Sequence, residues 1–389
     1  MTVPQKPATR PENPRFSPGP TTKFKGWSFD LLKNALLGRS HRSKDAVERM
    51  QYLLSLTREV LQVPDDYLIG IVPGSDTGAV EMAMWNLLGA RPVQVLAWES
   101  FGKMWVSDVL DYLKLEQAEA RVADFGELPD LASVDFSHDV VFTWNGTTSG
   151  ARVPDGDWIP ADREGLTICD ATSAAFAQEL PFDKLDVVTY SWQKVMGGEA
   201  QHGILILSPR AVERLESHTP PWPLPKLFRL TKDGKLIKGI FEGKTINTVS
   251  LMAIEDHIVA LQWAKELGGL PALIAKANEN AQTVWDWEAR TDWVENLVAD
   301  PAIRSNTSVC MRLSEKGKEG LTQEQAKALP ARMLELLAEE GAGYDLSAYR
   351  TAPPGFRIWC GATVEKSDIE ALLPWLDWAY ATARAELTS

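Results

Sequence analysis

The chain alternates between short apolar runs and longer stretches in which apolar residues recur at helical spacing. The short runs are rich in β-branched residues, which is typical of buried strands. Between two of them, Val80, Ala83, Met84 and Leu87 fall on one face of a helix. The alternation predicts a mostly parallel sheet covered by helices, with strands at 68–72, 93–98, 139–144, 166–170, 186–190 and 203–207.

The pattern changes to an α+β character from about Leu270. Strands are predicted at 308–313 and 356–361, with a helix at 323–340 between them. Ser367-Asp-Ile-Glu370 has the spacing of a capping box, so the last helix is expected to begin there.

Residues 1–20 contain many prolines, which exclude helix and central strand and predict an extended arm over the body of the protein. We therefore expect three parts: the arm at 1–20, a large domain at 21–268 and a smaller α+β domain at 269–389. A chain of 389 residues is long enough to bury a core of this kind.

Composition and charge narrow the classes of function. The net charge of −13 disfavours binding to nucleic acid or anionic membranes, so we expect small-molecule substrates, and an anionic one needs a local cationic cluster. Cys169, Cys310 and Cys360 lie in apolar runs without metal-ligand spacing and are expected to be reduced. No stretch has the apolar length of a membrane span, and the polar N-terminal segment does not resemble a signal peptide. These features predict a cytoplasmic protein.

Two residues at the ends of predicted strands indicate the chemistry. Asp170 ends the run at 166–170, and Lys194 follows the run at 186–190 on a glycine-rich loop. If these strands are parallel neighbours, both side chains lie at the carboxyl edge of the sheet, where open α/β sheets bind ligands. Pyridoxal 5'-phosphate needs this pair, because a lysine binds its aldehyde and a carboxylate keeps its ring nitrogen protonated.

These residues lie in a recognisable pair of motifs. Cys169-Asp-Ala-Thr-Ser173 together with Ser191-Trp-Gln-Lys194 resembles the cofactor core of the phosphoserine aminotransferase family. That family belongs to the class V aminotransferases. The resemblance implies the aspartate-aminotransferase-like fold (fold type I), with a mostly parallel seven-stranded sheet in the large domain. It also implies transfer of an amino group from glutamate to 3-phosphohydroxypyruvate, with Lys194 and Asp170 as catalytic residues and Gln193 beside the cofactor.

A phosphate cradle is predicted between the first strand and the helix that follows it. Gly74, Ser75, Asp76 and Thr77 lie there, where free N–H groups and the positive end of the helix dipole favour an anion. The segment is not a P-loop, because no Gly-Lys-Ser/Thr follows. We expect the Asp76 side chain to cap the helix while the backbone amides bind the phosphate. An ordinary capped turn is the alternative.

Two further segments match cofactor-binding positions of the family. Phe101 occupies the position of the aromatic residue that stacks on the cofactor ring, and Trp105 is the alternative. The turn that begins at Asn145 resembles the family's Asn-x-Thr turn, which assigns Thr147 to the ring hydroxyl, with Thr148 next in line.

The resemblance also assigns residues that one subunit contributes to its partner's site. His41 and Arg42, in a basic loop with Arg39 and Lys44, match the residues that hold the substrate phosphate of the neighbouring subunit. Charge alone favours a solvated basic turn, and the resemblance reverses that interpretation. The pair of Asn247 and Thr248 matches the pair that reaches the partner's cofactor phosphate, although Asn-Thr is also a routine helix cap. The match implies a homodimer with shared active sites.

Arg357 lies among apolar neighbours in the second predicted strand of the C-terminal part, where an arginine is costly unless paired. The resemblance assigns it to the substrate α-carboxylate, which its planar fork suits. Arg350 is an auxiliary candidate, and a structural ion pair of Arg357 is the alternative.

Other functions remain open at the sequence level. The first is another class V activity, such as a serine– or alanine–glyoxylate aminotransferase. A cysteine desulfurase needs a reactive loop cysteine, and Cys360 lies in an apolar strand. A non-catalytic α/β binding protein would carry no cofactor. A second role in pyridoxine biosynthesis is also left open.

Overall fold

The computed structural model describes residues 5–388, so the first four residues of the predicted arm and Ser389 lie outside the described residues. Its strands are β1 Leu68–Pro73, β2 Val93–Ala97, β3 Ala118–Val122, β4 Asp139–Thr143, β5 Thr167–Asp170, β6 Val187–Ser191, β7 His202–Leu207, β8 Thr231–Lys232, β9 Lys235–Leu236, β10 Val294–Asn296, β11 Ser308–Leu313 and β12 Phe356–Trp359. Its α-helices are α1 Lys44–Leu61, α2 Ser75–Leu87, α3 Ser100–Ser107, α4 Pro209–Ser217, α5 Leu251–Leu267, α6 Gly269–Glu288, α7 Glu315–Lys318, α8 Gln323–Glu339 and α9 Lys366–Thr388.

A seven-stranded sheet with the order β1-β7-β6-β5-β4-β2-β3 forms the centre of the fold. Strand β7 runs in the direction opposite to the other six strands, which are parallel to one another. The prediction of a mostly parallel sheet is therefore confirmed. In the register of the central strands, Asp170 pairs with Thr143 on one side and Thr189 on the other. The polar ends of these strands therefore meet at one edge of the sheet.

The central strands are apolar on both faces because helices cover both. On β4, Val140 and Phe142 join the core beneath α1 and α5, whereas Val141 joins the core beneath α2 and α4. The edge strand β3 is the exception. It is largely exposed and polar, and its sequence therefore lacks the apolar run that located the other six strands.

The C-terminal part contains a three-stranded antiparallel sheet in the order β10-β11-β12, with α6, α8 and α9 packed nearby. The predicted capping box at Ser367 is wrong, because α9 already begins at Lys366. The Asp368 side chain instead accepts a hydrogen bond from the Glu12 N–H at 2.7 Å. A capping box does open α8, between Thr322 and Gln325. The predicted domain boundary falls at Gly268 and Gly269, between α5 and α6, and stays a prediction.

The described part of the N-terminal arm is extended and lies along the C-terminal part. The Trp375 indole donates to the Thr9 carbonyl at 2.7 Å, and the Tyr344 N–H donates to the Pro14 carbonyl at 2.8 Å. Within residues 5–388, no helix is long and apolar enough to cross a membrane.

A buried ion cluster lies at the edge of the sheet opposite the polar strand ends. Asp186 is 1% exposed, accepts hydrogen bonds from Arg163 at 3.2 Å and Arg210 at 3.1 Å, and also accepts the Thr167 N–H at 3.0 Å. Replacing it by alanine would leave the Arg163 charge buried without a partner. We expect Asp186→Ala to lower the free energy of unfolding by about 3–5 kcal/mol, measured by urea denaturation.

A matched control is Glu315→Ala. It removes an ion pair between Lys318 and the Glu315 carboxylate, whose side chain is 91% exposed. Solvent screens such a pair, so the unfolding midpoint should hardly change. Equal effects of the two substitutions would contradict a specific role for the buried cluster.

Candidate active site

A cavity of about 160 Å³ lies where the carboxyl ends of β4, β5 and β6 meet the N-terminus of α2. It brings together most of the residues that the sequence assigned to the cofactor. They are Ser75, Asp76, Thr77, Phe101, Thr147, Asp170, Gln193 and Lys194. A larger cavity of about 790 Å³ lies between Phe182 and Ile274 and contains neither the lysine nor the carboxylate. The smaller cavity is therefore the candidate active site.

Lys194 is almost fully removed from water, with 8% of its surface exposed. Its Nζ donates a hydrogen bond to the Pro18 carbonyl of the N-terminal arm at 2.6 Å. Burial, and secondly the positive charge of Arg357, lower the pKa of Lys194 to about 8. About a tenth of the amine is then neutral at pH 7, far more than for an ordinary lysine. Lys194 can therefore act as a nucleophile near neutral pH.

Asp170 ends β5 at the opposite side of the cavity and is 5% exposed. Its two oxygens accept different hydrogen bonds, from the Thr172 N–H at 3.0 Å and from the Trp105 indole N–H at 3.1 Å. These two donors fix the orientation of the Asp170 carboxyl group. Trp105, the alternative stacking residue, is thus a hydrogen-bond partner of Asp170.

Phe101 lines the cavity nearer to the lysine. The centroid of its ring lies 6.0 Å from Lys194 Nζ. On its other side, the Tyr349 ring centroid lies 5.5 Å away. The aromatic wall near the lysine therefore combines residues that are far apart in the sequence. Phe101 stays the predicted stacking residue.

The predicted phosphate cradle is the first turn of α2. Gly74 is the N-cap with φ 87°, a backbone conformation that favours glycine, and no side chain caps the helix. Helical geometry leaves the N–H groups of Asp76 and Thr77 without an intrahelical acceptor. The expectation that Asp76 caps the helix is wrong, because Asp76 lies inside the first turn and its buried side chain lines the cavity.

Several polar atoms in this cavity lack a partner among the described residues. They are Asp76 Oδ1, Thr143 Oγ1 and Thr172 Oγ1, and all three are buried. Buried polar atoms are normally hydrogen-bonded, so their concentration in one cavity indicates a polar ligand. A lysine amine, an opposed carboxylate, free helix N-terminal amides and an aromatic wall fit pyridoxal phosphate, which carries an aldehyde, a ring nitrogen and a phosphate.

Thr147 belongs to a buried hydrogen-bond network behind the cavity. Its hydroxyl donates to Ser173 Oγ at 2.9 Å, and the Asn145 amide donates to the same oxygen at 2.8 Å. The hydroxyl of Thr148 instead donates to Glu99 at 2.8 Å. Thr147 and Asn145 line the cavity, whereas Thr148 does not.

Arg357 lies on β12 and is 9% exposed. It donates only to backbone carbonyls, those of Ser347 at 3.0 Å and Thr147 at 3.3 Å. No described residue forms an ion pair with it, which disfavours the alternative of a structural ion pair. A buried guanidinium without a carboxylate partner is suited to bind the carboxylate of a ligand.

The segment before β12 contributes residues that sequence reasoning missed. Tyr349 lies between Phe101 and Arg357, with the guanidinium carbon 5.9 Å from its ring centroid. The hydroxyls of Thr351 and Ser100 are 2.7 Å apart and join this segment to the start of α3. The aromatic residue directly before Arg350 was the available signal. Arg350 itself is exposed and does not line the cavity.

Four predicted residues do not reach this cavity within the single chain. His41 and Arg42 precede α1, and Asn247 and Thr248 precede α5. The two helices pack side by side in the same direction, so these residues lie at one end of the pair. Ser250 caps α5, so the alternative of a routine cap by Asn247 or Thr248 does not hold.

The basic loop before α1 is only partly neutralised. Arg39 pairs with Asp45 at 3.1 Å and Lys44 approaches Glu48 at 3.7 Å. Burial, and secondly the Arg42 charge, lower the pKa of His41. Within the described residues, Arg42 forms no ion pair and is exposed.

Comparisons with known proteins agree with the fold and with pyridoxal phosphate as the cofactor. The chain is 54% identical to the phosphoserine aminotransferases of Methanosarcina mazei and Methanosarcina barkeri, over 96% of this chain and 99% of each relative. It superposes on the phosphoserine aminotransferase of Cytophaga hutchinsonii with a TM-score of 0.79 at 18% identity, covering 94% and 98% of the two chains. The pyridoxal-phosphate-bound enzyme of Trichomonas vaginalis gives a TM-score of 0.73 at 19% identity, covering 94% and 99%. No family model matches the chain.

The fold and the site define a pyridoxal-phosphate-dependent aminotransferase of fold type I. Given the sequence identity to its relatives over nearly its whole length, the chain belongs to the phosphoserine aminotransferase family. The resemblance seen in the sequence is thereby confirmed.

The low pKa of Lys194 has a measurable consequence for cofactor attachment. The rate at which pyridoxal phosphate reacts with the cofactor-free protein should rise with pH and level off above about 8, because only the neutral amine reacts. In Arg357→Leu, loss of a nearby positive charge should raise the pKa of Lys194 and move the midpoint to higher pH. The rates are followed by visible absorption.

Arg350→Leu is the control, because Arg350 is exposed and lies outside the cavity. Its midpoint should match that of the wild type, and comparison among variants cancels the titration of the cofactor itself. An unchanged midpoint in Arg357→Leu would show that burial alone sets the pKa of Lys194.

Proposed function

We propose that this chain transfers the amino group of glutamate to 3-phosphohydroxypyruvate, giving O-phospho-L-serine and 2-oxoglutarate. The observation that carries the proposal is one buried cavity in which Lys194 and Asp170 meet beside Arg357, an arginine without a carboxylate partner within residues 5–388. Membership of the phosphoserine aminotransferase family supports this choice of substrate.

Each part of the cofactor has a matching group in the cavity. Lys194 would bind its aldehyde, Asp170 its ring nitrogen, and the first turn of α2 its phosphate. When bound, the cofactor supplies an electrophilic carbon and an electron-withdrawing ring that stabilises charge left on the substrate Cα. The Thr147 hydroxyl oxygen would accept a hydrogen bond from the ring hydroxyl, since its own proton is donated to Ser173. Phe101 would cover the ring face.

The chain's own groups then orient the substrate and move its proton. Arg357 would bind the α-carboxylate with its planar fork, which fixes the Cα–H bond relative to Lys194. The Lys194 amine would take up the proton from Cα. An amine whose pKa is about 8 is suited to take up and release a proton near neutral pH.

Binding of the substrate phosphate would require a second subunit. His41 and Arg42 lie outside the cavity of their own chain, as do Asn247 and Thr248. The surface near them carries exposed apolar side chains, including Phe29 at 77% exposure and Leu37 at 53%. Exposed apolar side chains near Arg42, which forms no ion pair within residues 5–388, favour a homodimer in which each subunit completes its partner's site.

We also propose a cytoplasmic location. Cys169, Cys310 and Cys360 are all buried and free, as is typical of proteins in a reducing compartment.

Burial raises the pKa of the Cys360 thiol, which argues against a desulfurase that needs a reactive cysteine.

The reaction is tested by the visible spectrum of the cofactor-loaded protein. We expect glutamate to convert the cofactor to its amine form, and 3-phosphohydroxypyruvate to restore the starting spectrum. Restoration by glyoxylate alone would instead indicate a glyoxylate aminotransferase of the same fold. A protein that acquires no band after incubation with pyridoxal phosphate would contradict the assignment of Lys194.

Shared active sites are tested by mixing two inactive variants. Lys194→Ala lacks the amine, and Arg42→Ala lacks the proposed phosphate contact. A mixed dimer contains one site with Lys194 from one chain and Arg42 from the other. Random re-association should therefore restore roughly a quarter of the wild-type activity, because half the dimers are mixed and each has one complete site.

Mixing Lys194→Ala with Arg357→Ala is the control. Both residues belong to the cavity of one chain, so every site of the mixed dimer lacks one of them. No activity should return. Equal recovery in the two mixtures, or none in either, would contradict the proposed sharing.

A further inference from the structure

A second carboxyl group lies in the cofactor cavity beside Asp170. Asp76 comes from the first turn of α2, whereas Asp170 ends β5, and the two residues are 6% and 5% exposed. Asp170 accepts hydrogen bonds from two donors. Asp76 Oδ1 is buried without any partner among the described residues. Two N–H donors therefore hold Asp170, whereas one oxygen of Asp76 is left without a partner among the described residues.

The groups that face Asp76 determine which carboxyl holds a proton. Asp170 faces it from the end of β5, and Lys194 faces it from the loop after β6. Cys169, on β5, is close enough to Asp76 for an electrostatic interaction. Burial, and secondly the Asp170 charge, raise the pKa of Asp76 well above its usual range, while hydroxyls of Thr172 and Thr189 oppose the rise. Two buried carboxylates at one site do not both ionise readily.

We propose that Asp76 is a neutral carboxylic acid at neutral pH and acts as a positioning residue, a hydrogen-bond donor in the cofactor cavity. This explains how an aspartate is tolerated in the cradle of a phosphate: a neutral side chain does not repel the anion, and the backbone N–H of Asp76 stays available to it.

The expected effect of Asp76 on cofactor binding rests on the proposed function, which places the cofactor in this cavity. The protonation state itself can be measured in the cofactor-free protein. Infrared spectroscopy detects the C=O stretch of a protonated carboxyl group, and we expect this band at pH 7 in the wild type but not in Asp76→Asn. The difference between the two spectra cancels the contribution of Glu99, whose pKa burial raises to about 7.

The same variant tests the effect on cofactor binding. Asparagine is neutral and keeps a donor, so the dissociation constant for pyridoxal phosphate at pH 7 should lie within about threefold of the wild-type value. At higher pH, Asp76 of the wild type should ionise, and its charge should weaken the binding of pyridoxal phosphate. The ratio of the dissociation constants of wild type and Asp76→Asn should then rise by up to about tenfold per pH unit, because one proton is lost. The loss should begin at the pH at which the infrared band disappears.

Two outcomes would overturn the proposal: absence of the band from the wild type at pH 7, or binding more than about tenfold tighter in Asp76→Asn at that pH. Either would mean that Asp76 is an anion. A purely structural role would change neither the band nor the relative pH profile.

Asp76→Ser, a smaller neutral donor, replaces the variant if Asp76→Asn does not fold. Absence of cofactor binding by the wild type would contradict the proposed function, while the infrared result would still decide the state of Asp76.

Discussion

A lysine amine removed from water loses its hydration and must find acceptors and opposite charges within the protein. The rest of the site depends on this constraint at Lys194. The carbonyl of Pro18 accepts its hydrogen bond, and the rings of Phe101 and Trp359 lie 6.0 Å and 5.8 Å from its nitrogen. The parallel strands supply the position, because the loop that carries Lys194 follows β6 at the edge where β5 ends in Asp170.

The charges in and around the cavity limit one another. Arg357 lowers the pKa of Lys194, whereas Asp170, Glu99 and Asp76 oppose that effect. Too many ionised carboxyls would stabilise the ammonium form and remove the nucleophile. A neutral Asp76 and a Glu99 with a raised pKa avoid this outcome. The reactivity of the lysine therefore depends on which of its acidic neighbours hold a proton.

The sequence predicted the parts of the structure that local patterns encode. Strands buried on both faces appear as apolar runs. Asp170 ends one such run, and Lys194 lies in the loop after another. The exposed edge strand β3 lacks that pattern. The Asp76 side chain was misassigned because capping is the usual role of an aspartate at a helix start, and only the three-dimensional packing shows that Gly74 takes the cap position. Tyr349 reaches the site from a segment about 250 residues along the chain from Phe101, a proximity that no local signal encodes.

The path of the N-terminal arm has a consequence for biosynthesis of the protein. Pro18 holds the lysine, yet the residues before it are anchored by Tyr344, Asp368 and Trp375, which lie near the other end of the chain. On the ribosome, the arm emerges first but its binding partners emerge last. The sheet can form during translation, whereas the environment that lowers the pKa of Lys194 is complete only after the final helix has been synthesised.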